Sequence, residues 1–370
     1  MRVLMSGGGT GGHVNPAIAI ANEIAKREPG SEIAFVGTKR GIESRIVPKE
    51  GYELHFIEIQ GIRRSLSLDN LKTVYLAARS FSKCKKIIKK FKPDLVIGTG
   101  GYACWPVVRA AAAMKIPTAL HESNAVPGFA VKMLEKKADK IYVNFEETLS
   151  KLSVPEKAMR VGNPLKRGFT EIDREKARRQ LGITGKYRTF LLTLGGSMGA
   201  ERVNKEVLEV MKEYTSKHPE VLHVHATGAI EYEETKAAFE QAGLDKYENI
   251  QLLEYVYDMP VRMAAADVVI NRAGAMTLSE LALLGKASIL IPSPNVTNNH
   301  QYKNAAVLRD AGAAVLIEEK DLMSGVLSGK VKELCENREM RESMQENIKK
   351  FAVTDAAGLI YEDLRKLVKN

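Results

Sequence analysis

Apolar runs of strand length alternate with helix-length segments along this chain, and the alternation stops once near the middle and then restarts. The first series of runs covers residues 3–5, 33–36, 54–57, 95–97, 118–120 and 141–143; the second covers 190–194, 221–224, 250–253, 268–270, 289–291 and 314–317. Continuous apolar strands separated by helices are the pattern of a parallel sheet covered on both faces, so the expectation is an α/β protein with two doubly wound domains. With 370 residues the chain is long for one core, and 45% hydrophobic residues exclude a disordered protein. Punctuation at Val161-Gly162-Asn163-Pro164, followed by a polar stretch over 171–186, puts the boundary near Asn163. The domains expected are 1–163 and 164–350, with a last helical segment, 356–368, crossing back to brace the first lobe. In such sheets ligands bind beyond the carboxyl ends of the strands, and two domains facing across a cleft can close over two substrates.

Each half opens with a buried strand that runs into glycines, Gly8-Gly9-Thr10-Gly11-Gly12 in the first and Gly195-Gly196-Ser197-Met198-Gly199 in the second. The first turn leaves backbone N–H groups uncovered at the start of a helix and ends on His13, a residue able to move a proton near neutral pH. Two readings stand here: close packing of strand on helix, or a mouth for an anion or polar sugar. No Walker lysine follows either turn, and neither a Gly-x-Ser-x-Gly elbow nor a paired-cysteine metal site occurs. Gly7-x-Gly9-x-x-Gly12 mimics a dinucleotide fingerprint, but Glu32 begins its strand where the ribose-binding acid should end it.

Charge is divided unevenly. Residues 1–163 hold 26 Lys+Arg against 15 Asp+Glu, a balance of +11, and the remainder holds 29 against 30, or −1. Ten of those basic residues fall within 61–92, against the single acid Asp69. From Asp69 as cap, Leu71, Val74, Tyr75, Ala78 and Phe81 recur at helical spacing as a packing face, while Lys72, Arg79, Lys83, Lys86 and Lys90 form a cationic stripe interrupted by Leu76. The stripe reads either as a solvated face or as a contact with an anionic membrane surface. Nucleic acid is not an expected partner, because exposed aromatics do not interleave with the cations. No 18-residue apolar run appears and Met1-Arg2 leads straight into a core strand, so neither a spanning helix nor a signal peptide is expected, and the protein is placed in the cytoplasm. Three isolated cysteines, Cys84, Cys104 and Cys335, read as packing residues of a reducing compartment.

In the second half, Asn271-Arg272-Ala273-Gly274-Ala275 ends a buried strand and opens a helix carrying Thr277, Ser279 and Glu280 in its first turns. Its N–H groups and Arg272 suit a diphosphate, and Glu280 suits ribose hydroxyls; the alternative is ordinary capping by Thr277. Gly100-Gly101-Tyr102 and His121-Glu122-Ser123-Asn124 follow strands of the first half and fit recognition of a polyhydroxylated molecule, or are satisfied structural groups. Asn298-Asn299-His300-Gln301 starts a helix whose polar side chains read a sugar or merely cap.

Taken in order, Gly8-Gly9-Thr10-Gly11-Gly12-His13, Gly100-Gly101-Tyr102, His121-Glu122-Ser123-Asn124, Gly162-Asn163-Pro164, Gly195-Gly196-Ser197-Met198-Gly199-Ala200, Arg272-Ala273-Gly274-Ala275-Met276-Thr277-Leu278-Ser279-Glu280 and His300-Gln301-Tyr302 closely resemble the MurG family over nearly the whole chain. The resemblance implies two Rossmann-like domains of the GT-B type. It implies an inverting glycosyltransferase that moves N-acetylglucosamine from UDP-N-acetylglucosamine (UDP-GlcNAc) to lipid I, making lipid II for peptidoglycan at the cytoplasmic face of the membrane, as a peripheral protein. By the same resemblance the second lobe holds the donor: Ser197 near the diphosphate, Gly274, Ala275, Met276, Thr277, Leu278 and Ser279 under the phosphates, Glu280 on the ribose, Val256 beside uracil, and Gln301 on the sugar. Thr10, Gly11, Gly12 and Asn124 approach from the first lobe. Lys166 stands where an arginine is expected after Gly-Asn-Pro, keeping charge without bidentate geometry, and His300 precedes Gln301 where some members carry two glutamines.

The reaction implied is a single displacement in which a base takes the proton from the muramic acid 4-hydroxyl. His13 is the first choice for that base, since its ordinary pKa suits the task, and Glu122 the second, since it would need burial to raise its own. No cofactor is expected; leaving-group charge spreads into helix N-termini and Arg272, with a divalent ion in solution able to assist.

Overall fold

A computed structural model of the chain describes residues 1–60, 69–183, 185–196, 200–323 and 325–369. It divides into two units, Met1–Lys166 together with Val353–Asn370, and Arg167–Ala352. Among the described residues the first unit holds seven strands: β1 (Arg2–Ser6), β2 (Glu32–Gly37), β3 (Glu53–Phe56), β4 (Leu95–Gly98), β5 (Thr118–Glu122), β6 (Lys140–Val143) and β7 (Ala158–Arg160). Their order is β3-β2-β1-β4-β5-β6-β7, with every neighbouring pair parallel. The sheet therefore reverses direction of growth between β1 and β4, the switch point at which doubly wound sheets take their ligands. Period-two alternation in β1 sends Val3 and Met5 into one core with helix Gly11–Arg27 and Leu4 into the other with Val107 and Leu120. β7 was not expected: Ala158-Met159-Arg160 is a short edge strand whose side chains are half-buried or exposed, so no apolar run marks it.

Helix Ala356–Lys369 lies on that same unit, with Ile360 and Leu364 fully buried beside Val14 and Ile20 and worth on the order of 2 kcal/mol each. Polar ties fix its register: Asp363 accepts from Tyr142 Oη at 3.0 Å and pairs with Lys140 at 3.2 Å, while Arg27 pairs with Glu362 at 2.7 Å.

In the second unit, β8 (Thr189–Leu194), β9 (Val221–Ala226), β10 (Ile250–Leu253), β11 (Val268–Asn271), β12 (Ala287–Leu290) and β13 (Val315–Leu316) form a second parallel sheet in the order β10-β9-β8-β11-β12-β13. Its switch point lies between β8 and β11. Asp267, just before β11, gathers Arg174 at 2.6 Å, Arg178 at 3.2 Å and the Phe190 N–H at 2.8 Å, tying the helix Arg174–Gln180 to the sheet.

The basic segment corrects one expectation. Helix Asp69–Phe91 forms, but Tyr75 is 64% exposed and Ala78 is also exposed, whereas Thr73, Ser80, Cys84 and Ile88 are buried. Hydrogen bonds explain the rotation: the Ser80 hydroxyl donates to Glu58 O at 2.6 Å and Thr73 accepts from Gln60 Nε2 at 2.8 Å, so small polar residues are satisfied inside. Tyr75 therefore stands among exposed Arg79, Lys83 and Lys86; the side chain of Lys72 lies outside the described residues.

Candidate active site

The two turns at the first switch point interlock. Helix Gly11–Arg27 starts after Thr10, an extended N-cap (φ −138, ψ 158) whose carbonyl accepts from His13 N at 3.1 Å. Thr99, after β4, donates its hydroxyl to His13 O at 2.6 Å. A Cβ at Gly7 would lie 2.0 Å from Thr99 Oγ1, and one at Gly101 would lie 2.1 Å from Gly8 O, so packing itself demands these glycines. Gly11 and Gly12 differ: a Cβ there would meet nothing closer than 3.6 Å and 3.7 Å respectively. Bare backbone at the helix start is thus not required by the protein's own packing, which points to the approach of a ligand. Tyr102 covers the turn, its ring 3.1 Å from the position of a Cβ on Gly9.

His13 Nδ1 lies 3.1 Å from Gly8 O and 3.2 Å from Thr10 Oγ1. A carbonyl only accepts, so Nδ1 carries the proton and the basic lone pair is on Nε2. Glu43, which sequence reasoning missed, supports this turn from the helix Glu43–Lys49. Its carboxylate accepts from Gly9 N at 2.9 Å and from the Thr38 N–H and hydroxyl, each at 2.9 Å.

Glu122 ends β5 and is buried, which pushes its carboxyl above the ordinary carboxylate range against the opposing pull of N–H donors. Those donors are Asn124 N (2.9 Å) and Nδ2 (3.0 Å) on Oε1 and Gly128 N (2.6 Å) on Oε2, so the carboxylate folds the loop 122–128 around itself. His121 takes the structural alternative: it is fully buried, Nε2 donates to Gly162 O at 3.0 Å, and burial lowers its pKa to about 4. Lys166 is exposed and belongs to the first unit, although expected in the second domain.

In the second unit, Ser197 lies outside the described residues. Before it, a Cβ at Gly195 would come within 2.7 Å of both Asn204 Oδ1 and Thr227 O, and Gly196 takes φ +93 with Arg272 Cγ beside it. Asn204 is held in turn by His225 Nε2 at 3.2 Å, and Thr193 Oγ1 sits between His225 Nδ1 (2.8 Å) and His223 Nε2 (3.2 Å). A buried polar chain thus backs the Gly195-Gly196 turn.

Across the switch point, helix Ala275–Leu284 begins on Gly274, extended and without a side-chain cap, so the capping alternative for Thr277 is not realised. A Cβ at Gly274 would meet nothing closer than 3.9 Å. Ala275 and Leu278 are buried; Met276, Thr277 and Glu280 are half-buried; Ser279 donates its hydroxyl back to Ala275 O at 3.2 Å. Arg272 pairs with Glu319 at 2.5 Å and reaches the carbonyls of Ile291 (3.2 Å) and Pro292 (3.4 Å). Asn298 and Asn299 both adopt left-handed backbone (φ 59 and 51) before helix His300–Asp310, a conformation asparagine tolerates better than most residues. There Gln301 Oε1 accepts from Ser293 N at 2.8 Å and His300 Nδ1 donates to Thr297 O at 2.9 Å. Val256 is buried between exposed Tyr255 and Tyr257, whose rings meet edge-on at 5.0 Å.

Two family models match the chain: the glycosyltransferase family 28 N-terminal domain over residues 3–143 and the family 28 C-terminal domain over 190–360. A UDP-N-acetylglucosamine--N-acetylmuramyl-(pentapeptide) pyrophosphoryl-undecaprenol N-acetylglucosamine transferase of Acetivibrio thermocellus is 44% identical, covering 100% of this chain and 99% of its own. An enzyme of the same name, numbered 1, from Bacillus cereus is 42% identical over 100% of both chains. Among solved structures, Acinetobacter baumannii MurG superposes with a TM-score of 0.79 at 28% identity over 99% of each chain. A Neisseria meningitidis UDP-GlcNAc 2-epimerase, solved with UDP-GlcNAc bound, shares the fold at a TM-score of 0.68 and 16% identity, covering 99% of this chain and 100% of its own.

Proposed function

The chain belongs to glycosyltransferase family 28, and on that premise we propose that it moves N-acetylglucosamine from UDP-GlcNAc to the 4-hydroxyl of the muramic acid of lipid I, with inversion, forming lipid II. The observation that carries the reading is His13: an imidazole with Nδ1 pinned to Gly8 O, at the carboxyl ends of β1 and β4, beside glycines that packing does not explain. Nε2 takes the proton of the acceptor hydroxyl. The resulting oxygen attacks C1 of the sugar as the bond from C1 to the diphosphate breaks, and UDP departs as an anion. Glu122 is the weaker candidate for base, because both its oxygens already hold the 122–128 loop.

The donor reading places the diphosphate over the Gly274 helix start and the Gly195-Gly196 turn, with Arg272 alongside and Glu280 on the ribose. Glu319 offsets the Arg272 charge, so it fixes the guanidinium more than it adds net positive field. Val256, His300 and Gln301 complete the donor contacts in this reading, and Thr10, Gly11, Gly12, Tyr102, Asn124 and Lys166 are the substrate contacts of the first unit. This reading requires no cofactor and leaves room for a divalent ion from solution to stimulate the reaction.

The protein acts as a peripheral enzyme on the anionic cytoplasmic face of the membrane, through helix Asp69–Phe91. Support comes from the exposed Tyr75 among Arg79, Lys83 and Lys86, an amphipathic ring set within cations. No described helix is long and apolar enough to cross a membrane.

The test is transfer of radiolabel from UDP-GlcNAc into lipid, with and without a lipid I analogue. Label should enter lipid only with the acceptor present; hydrolysis or epimerisation without lipid product would defeat the reading. His13→Ala should lower turnover at least tenfold while UDP-GlcNAc binding survives.

A further inference from the structure

Glu43 is 1% exposed, on an element remote in sequence from the glycine turn, yet space has been cleared for its carboxylate on three sides. A Cβ at Gly37 would lie 2.5 Å from Glu43 Cγ, one at Gly41 2.1 Å from Oε2, and one at Gly8 2.7 Å from Oε1. All three of its hydrogen-bond partners named above are donors, which suits a carboxylate. Thr38 is itself anchored by accepting from Gly41 N at 3.1 Å.

The position of those bonds matters more than their number. The N–H that Glu43 Oε2 holds belongs to Gly9, and the C=O that accepts His13 Nδ1–H belongs to Gly8. These are the two ends of one peptide group. A carboxylate drawing on the N–H end polarises the amide and makes its oxygen a stronger acceptor, as hydrogen bonds in series reinforce one another. Resting on the reading of His13 as the base, we propose that Glu43 is a positioning residue that fixes the imidazole tautomer through the Gly8–Gly9 peptide. The relay gives His13 the service a directly bonded carboxylate gives other catalytic histidines, with a peptide group interposed. Gly9, at φ +87, supplies the backbone turn that lets its N–H face the carboxylate.

Glu43→Gln places an amide NH2 against N–H donors, so one of them loses its acceptor. Turnover should fall roughly 10–100-fold, the range for lost outer-shell partners, with the KM for UDP-GlcNAc changed less than twofold. Imidazole 15N shifts should show His13 as the Nδ1–H tautomer in the unmutated protein and as a mixture in Glu43→Gln. An unchanged tautomer in the variant overturns the proposal, whatever His13 does in the reaction. In a His13→Ala background Glu43→Gln should cost less than twofold; an undiminished loss means that Glu43 acts elsewhere. If instead His13→Ala leaves turnover intact, the base assignment fails while the tautomer measurement still decides the relay. Should Glu43→Gln not fold, amide exchange in the unmutated protein decides: Gly9 N–H must be strongly protected, and rapid exchange rejects the clamp.

Discussion

The imidazole of His13 occupies the space that a side chain at residue 100 would need: a Cβ on Gly100 would stand 2.6 Å from His13 Cδ2. Gly100 also sits at φ +105, where other residues are strained. Gly100→Ala should therefore displace the ring and lower turnover at least tenfold, and steady-state kinetics alongside circular dichroism will separate that from unfolding. Normal turnover in the folded variant would mean that the ring position is not what the reaction uses.

Gly12 makes the opposite case. Alanine there meets no close atom and improves a helix start by roughly 0.5–1 kcal/mol, so Gly12→Ala should keep or raise Tm. If a substrate approaches this backbone, kcat/KM should nonetheless drop at least tenfold. Loss of both stability and activity would mean that the glycine is structural.

Burial depresses the pKa of His121 and His225 from 6.5 to about 4, and that of His223 below its ordinary value. Unfolded chains bind these protons near pH 6.5 while the folded protein refuses them until about pH 4, so stability falls as pH drops through that window and is flat above it. His121 and His225 should each account for about 3 kcal/mol once the window is crossed. Urea midpoints at pH 7, 6 and 5 will measure the slope. His225→Gln should flatten it by about one proton, and an unaltered slope would show that His225 does not carry this term.

For the cationic helix, changing Lys72, Arg79, Lys83 and Lys86 to glutamine should weaken binding to anionic vesicles at least tenfold, since each basic residue contributes about 1 kcal/mol near such a surface. Raising salt should weaken the unmutated protein in the same way. Equal binding by variant and parent rejects this helix as the contact.

The alternation of strands and helices was legible because continuous apolar runs have one stable use, burial on both sheet faces, and the expected runs mark twelve of the strands found. β7 escaped because a three-residue edge strand buries too little to leave a pattern. Tyr75 was misplaced because helical spacing alone counts an aromatic as apolar, whereas Ser80 and Thr73 go inside once backbone and side-chain partners await them. His13 could be singled out from the sequence since its turn is local. Glu43 could not: its partner Gly9 is 34 positions away, and the only local trace is Thr38 with the small residues Gly37 and Gly41. The exposed basic side chains announced a surface but not its orientation, which depended on which polar residues found partners inside.

The helix Ala356–Lys369 fills a core whose other walls come from residues 3–24, Phe35, Val47, Leu95, Ile97, Ala119, Tyr142 and Val161. During synthesis the amino-terminal half must therefore emerge with that wall missing and wait for some two hundred further residues before it can be sealed. A chain cut short just after Ala352 would carry a later-made half that is complete and an earlier-made half that gapes.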